Sequence, residues 1–204
     1  NGGEDTQNAD ALAKELANPN ATRGQLFNLI DYVRYDGNIP DAGQNAFVYS
    51  LQPSLPIPLA KGTNLFVRPL IPVYLSQPVL NENGFEQKAA LGNISADVAV
   101  GKTWKGGWMT LVGVFGGFPT ATNKELRSNF VTLGPEVVFG KVFKWGFLGA
   151  LVSHAWSVGK GNDPDGQSFT ILSDNFWSTT GGRTGASITA GQYFYTINLG
   201  NAWQ

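Results

Sequence analysis

The single histidine, His154, is the side chain best suited to acid–base chemistry, and Ser153 and Ser157 stand close to it in sequence. A histidine with a serine nucleophile and an orienting acid would support acyl transfer or lipid hydrolysis. On a β-strand, however, Ser153 and Ser157 both fall on the face opposite His154. A working pair would need a serine from another strand, so His154 is expected at a rim or in a lumen making hydrogen bonds, and no catalytic residue is assigned. With no cysteine and one histidine, thiolate and multi-histidine metal centres are excluded. Asn162 followed by Asp163-Pro164-Asp165-Gly166 lacks the spaced ligands and terminal glutamate of a calcium loop. It is ordinary turn chemistry. Gly116-Gly117 and Gly181-Gly182 lack the Lys-Ser/Thr of a phosphate loop. Neither a metal nor a cofactor is expected.

A second group of chemically capable residues is Arg68, Asp97 and Glu136. Each lies on a segment of alternating polarity, on the face opposite the cleaner apolar stripe, together with Ser50, Gln52 and Thr132. An arginine facing lipid at the midplane would cost about 2–4 kcal/mol. These residues are therefore expected to face a lumen, where they pair with one another, line a permeation path, or do both.

The elements that must position them follow from the polarity pattern. Residues 45–59 alternate strictly, with Phe47, Tyr49, Leu51, Pro53, Leu55, Ile57 and Leu59 on one face. Residues 94–102 and 129–141 repeat the pattern, and weaker candidates are 24–36, 64–75, 108–119, 146–157 and 186–197. The result is eight strands, most of 12 to 15 residues, against about 5–6 in ordinary globular proteins. The intervening gaps are 37–44, 60–63, 76–93, 103–107, 120–128, 142–145, 158–185 and 198–202, and every odd-numbered gap is longer than every even-numbered one. Short and long loops thus sit at opposite ends of an up-and-down meander, as in a transmembrane β-barrel. A soluble barrel of lipocalin type also alternates, but tends to carry more surface charge and shorter strands.

Composition points the same way. Charged residues are 14% of the chain and glycine is 26 of 204, against about 25% and about 7% in ordinary domains. The net charge of −1 leaves no basic footprint for nucleic acid. Trp104, Trp108, Trp145 and Trp203 lie at the short turns, and Tyr35, Tyr74 and Trp156 toward the other strand ends. Two such groups are expected to form interfacial girdles. Pro53, Pro56, Pro58, Pro69 and Pro72 fall inside the second and third strands, where a missing N–H must produce bulges or a broken ladder. Ahead of the strands, residues 1–23 are polar, with a short helix expected from Ala9 to Ala17 between Asp10 and Asn18-Pro19.

Several matches in order give the chain a family likeness. Leu12-Ala-Lys-Glu-Leu-Ala-Asn-Pro19, Leu51-Gln52-Pro53, Ile57-Pro58-Leu59, Asn64-Leu65 with Arg68 and Ile71-Pro72-Val73 are the first of them. Phe118-Pro119-Thr120-Ala121-Thr122, Leu133-Gly134-Pro135 and His154-Ala155-Trp156-Ser157 follow. In these the chain resembles the bacterial outer-membrane proteins of the "MetA-pathway of phenol degradation" family. The resemblance implies an all-β, antiparallel barrel of about twelve strands in the outer membrane of a Gram-negative bacterium. It further implies a role in passive uptake of small hydrophobic or aromatic molecules, with no enzymatic residues. The chain departs from the family after Trp203, where family strands are expected to continue, so strand eight is not expected to pair with strand one. The partners expected are outer-membrane lipid and a small-molecule solute. A structural barrel whose long loops contact a partner or the cell surface, without transport, is the alternative.

The loop rule predicts topology directly. Residues 1–23 and the short turns should face the periplasm, and 76–93 and 158–185 the outside. In the cysteine-free chain, maleimide labelling of intact cells should reach Asp165→Cys and spare Lys105→Cys. The reverse pattern would overturn the orientation.

Overall fold

The computed structural model describes residues 20–38, 41–128, 130–160 and 187–197. Nine strands form one antiparallel sheet: β1 (Gln25–Tyr35), β2 (Gln44–Ala60), β3 (Thr63–Asn81), β4 (Gly84–Leu91), β5 (Ser95–Thr103), β6 (Trp108–Gly117), β7 (Phe130–Phe143), β8 (Gly146–Lys160) and β9 (Ser187–Ile197). The order is β1-β2-β3-β5-β6-β7-β8-β9, with β4 pairing only β3. The sheet curls into an open half-barrel with β1 and β9 at its two edges. As expected, these two strands do not pair with each other. The helix expected at 9–17, most of the loop 158–185, and Trp203 lie outside the described residues.

The expected strands are found, but the stretch 76–93 is not a loop. β3 runs on to Asn81 and turns through Glu82-Asn83 into β4, with Gly84 at φ 105°. Val73–Asn81 thereby pair β4 while Thr63–Leu70 pair β5. Among the described residues the eight expected strands form the half-barrel, and β4 is an additional strand paired only with β3. An Asn-Gly step between apolar runs is the hairpin signal that carries this turn.

Pro53 and Pro69 act as anticipated, while Pro56, Pro58 and Pro72 keep register partners. The β2–β3 ladder runs to Leu51↔Ile71 and resumes only at Leu55↔Val67, leaving out Pro53 and Pro69, and its register shifts at Phe47/Val48 and Pro58/Ala60. β1 nonetheless pairs β2 without a break from Gln25↔Ser54 to Tyr35↔Gln44, so the interruption stays on one side of β2.

The two faces of the sheet differ: the convex one is apolar and the concave one mixes polar and apolar residues. The convex face carries exposed Leu55, Ile57, Val98, Val100, Val112, Val137 and Val152. The concave face buries Ser50, Asn64, Asp97, Thr132, Glu136 and Ser153. Two apolar clusters share that concave face. Near the short turns, Phe66, Ala99, Met109, Leu111, Val138, Phe147 and Leu151 pack together. Toward the long loops, Val48, Tyr74, Val79, Ala121 and Leu126 form the second. Ala121 and Leu126 belong to the connection after β6, which folds inward. It is held by Asn93, in the link between β4 and β5, whose Nδ2 donates to Leu126 O at 2.9 Å while its Oδ1 accepts from Ala121 N and Ser128 N, both at 3.2 Å.

Phe147 shows how the short-turn cluster is built. Its ring lies where a Cβ at Gly140 or Gly149 would stand, 2.6 Å from its Cε1 in the case of Gly149, and it stacks on Phe194 at 5.5 Å. Removing the ring in Phe147→Ala should cost about 3–5 kcal/mol. Filling its seat in Gly140→Val should cost about 1–3 kcal/mol by overpacking. Denaturant midpoints of the refolded chain measure both.

Candidate functional site

Register brings Arg68 and Asp97 together. They are direct cross-strand partners on β3 and β5, on the concave face, just where the prolines interrupt the ladder on the far side of β3. Arg68 Nε donates to Asp97 Oδ1 at 2.7 Å and Oδ2 at 3.0 Å, and Nη2 also donates to Asp97 Oδ1. The same Nη2 reaches Glu136 Oε1 on β7 at 3.2 Å. β6 lies between β5 and β7, and its residue opposite both Ala99 and Glu136 is Gly113. With no side chain at Gly113, β6 leaves the space directly beside Glu136 free. A Cβ at Gly113 would come within 2.7 Å of Val98 O.

Glu136 is 1% exposed, and its Oε2 has no hydrogen-bond partner. One guanidinium thus serves two carboxylates, leaving a formal charge of −1 if all three groups are ionised. A buried charge is tolerated when paired and hydrogen-bonded, and the arrangement meets that condition for both Asp97 oxygens and Glu136 Oε1 but not for Glu136 Oε2. Gln52, Leu70, Ser95 and Phe115 line a small recess beside Arg68 and Asp97. Among the described residues no group of three or more His, Asp or Glu could hold a metal ion. What the cluster can do is fix register and present a hydrogen-bonding band on the concave face.

The other expected site residues divide. Ser50, fully buried, and Gln52 share the concave face with the ion cluster. His154 does not. It alternates with buried Ser153 and Ala155 and sits on the convex face beside exposed Trp156, the rings 4.4 Å apart. Its Nδ1 lies 2.6 Å from Oγ1 of Thr189, its cross-strand partner. Strand parity, which put Ser153 opposite His154, also decides that His154 is not inward-facing.

Trp104, Trp108 and Trp145 are exposed around the short turns. Trp108 stacks on Phe139 at 5.0 Å and Trp145 on Phe143 at 5.1 Å, while Trp104 Nε1 donates to Thr110 Oγ1 at 2.9 Å. Trp156 is exposed toward the opposite end. Tyr74, expected at a rim, is instead 4% exposed inside the second apolar cluster, because the connection after β6 folds over it. Tyr35 also turns inward, on the same face as buried Val33, and its hydroxyl accepts from buried Gln77 Nε2 at 3.3 Å. Trp203 lies outside the described residues.

Missed by the sequence reading is a polar clamp at the short-turn end. Asn20 Nδ2 donates to Gly62 O at 3.1 Å and to Thr103 Oγ1 at 2.8 Å, and Asn64 Nδ2 donates to Asn20 O at 3.0 Å. Asn64 stands on the inward parity of β3, which is the signal that could have found it. Comparison with family models, with curated proteins and with solved structures gives no match.

The ion cluster makes a stability prediction. Arg68→Met leaves two buried carboxylates without their cation and should cost about 3–5 kcal/mol, whereas replacing all three partners with apolar residues of similar volume should recover most of that loss. Denaturation of the two variants side by side checks it. Equal losses in both would mean that the cost is packing, not charge.

Proposed function

We propose that this chain forms the wall of an outer-membrane β-barrel that passes small solutes passively. The observation that carries the reading is an exposed, apolar and uncharged convex face. On β7 the convex face from Val131 to Phe139 is Val131, Leu133, Pro135, Val137 and Phe139 without a charge, while Thr132 and Glu136 are buried on the other face. Nine residues at ~3.3 Å each, tilted by ~40°, span about 23 Å, close to the apolar band of a membrane barrel. Exposed aromatic rings at the short turns, and Trp156 and Phe118 toward the other end, bound that band. In water such a surface would be an aggregation hazard; in lipid it is the solvent-matched side.

The polar concave band around Arg68, Gln52 and Ser95 is the stretch that a polar or amphipathic solute would touch. The family likeness carried by residues 12 to 204 points to small hydrophobic or aromatic solutes. A second reading, a structural barrel without transport, is favoured by a different observation. Phe66, Met109, Leu111 and Phe147 are all 2% exposed or less and fill the concave face near the short turns.

Liposome swelling separates the two. Vesicles carrying the refolded chain should swell in solutions of small phenolic or aliphatic solutes faster than protein-free vesicles, and Phe147→Ala should increase the rate. Swelling no faster than the protein-free control would leave the structural reading.

A further inference from the structure

Charge is distributed unevenly along the strand axis. The short-turn end carries Lys61, Lys102, Lys105, Lys141 and Lys144, and the strand ends and turns around them (55–66, 99–111 and 138–148) contain no Asp or Glu. The long-loop end mixes both signs, as where Lys88 Nζ lies 2.7 Å from Glu86 and 3.6 Å from Glu125. The lysines are interleaved with the exposed aromatic residues. Lys102 Nζ stands 4.2 Å over the Trp104 ring, and Lys141 Nζ stands 4.8 Å over Trp108 and 5.4 Å over Phe143.

We infer that this lysine–tryptophan rim is a docking surface for the phosphates of anionic phospholipid in the leaflet at the short-turn end. The inference rests on the membrane reading above and adds a lipid class to it. An indole ring settles at the headgroup level, and an ammonium held over it is placed at the depth of the phosphates. Each lysine near an anionic surface adds about 1 kcal/mol of attraction. The rings hold Lys102 and Lys141 against the wall, so less side-chain freedom is lost on binding than for a free lysine. The competing occupant is this chain's own acidic start, with Glu4, Asp5, Asp10 and Glu15. Asn20, however, is tied to Asn64, whose side chain is on the concave face, whereas Lys102 and Lys141 share the convex face with exposed Val100 and Phe139.

Tryptophan quenching by brominated lipids in mixed bilayers tests this on the full chain. The wild type should be quenched by both brominated phosphatidylcholine and brominated phosphatidylglycerol, with phosphatidylglycerol favoured about fivefold or more in relative binding constant. Lys102→Gln, Lys105→Gln, Lys141→Gln and Lys144→Gln combined should bring that ratio close to unity with total quenching kept. If the combined variant does not fold, wild type at high salt gives the same discrimination, since screening must collapse the preference. Equal quenching of the wild type by the two lipids at low salt overturns the docking surface while the membrane reading stands. Quenching by neither overturns both.

Discussion

Everything in this sheet hangs on strand register, because a strand has a side-chain period of two and a slip of one residue moves every side chain to the opposite face. If β3 slipped by one against β5, Arg68 would turn out among the exposed valines and Val67 would turn in beside the carboxylates. The Arg68–Asp97 pair, bonded through both carboxylate oxygens, penalises that slip directly, at the place where Pro53 and Pro69 leave the ladder on the other side of β3 unbonded. Charge pairing thus reinforces the β3–β5 register beside the stretch where β3 lacks its β2 partners. A buried ion pair contributes little net stability, and specifying register is the use to which this one is best fitted.

The same constraint explains how much was legible from residue order. Alternation placed the strands and assigned Arg68, Asp97, Glu136, Ser50 and Gln52 to one face, because parity is a local property that needs no knowledge of the fold. It also contained the answer for His154, which shares its parity with exposed Trp156 and not with buried Ser153. What lay beyond reach depends on contacts between distant segments. Tyr74 looks like a rim tyrosine until the connection after β6 folds inward and covers it with Ala121 and Leu126. Asn20 looks like an ordinary linker residue until Gly62 and Thr103 are brought beside it. The β4 hairpin falls between these cases, since Asn83-Gly84 announces a turn but the length of gap 76–93 suggested a loop.

The open edges show what strand pairing does for the rest of the sheet. Inner strands bury their concave residues almost completely, whereas β1 exposes residues on both faces, with Ile30 at 76%, and β9 leaves Tyr193 at 89%. Phe27 and Leu29 lie on the same parity as buried Val33, yet both remain exposed. Their face is set by register, while their burial needs a neighbouring strand that β1 has on only one side. Such edges are templates for further pairing.

Glycine use follows from the curl of the sheet. A curved sheet has less room on its concave side, so large inward side chains need gaps beside them. Phe147 takes the space above Gly140 and Gly149, and Phe66 stands 3.0 Å from where a Gly101 Cβ would be. The same economy works in the polar band, where Gly113 stands between Ala99 and Glu136 and puts no side chain there. The convex face has no such shortage, and it carries branched residues and indoles. Strand glycines are costly in a flat sheet, because they weaken it and add nothing to packing. Here they are what allows phenyl rings and an arginine–carboxylate cluster to share one concave face, so the glycine content and the buried charges are two consequences of one curvature.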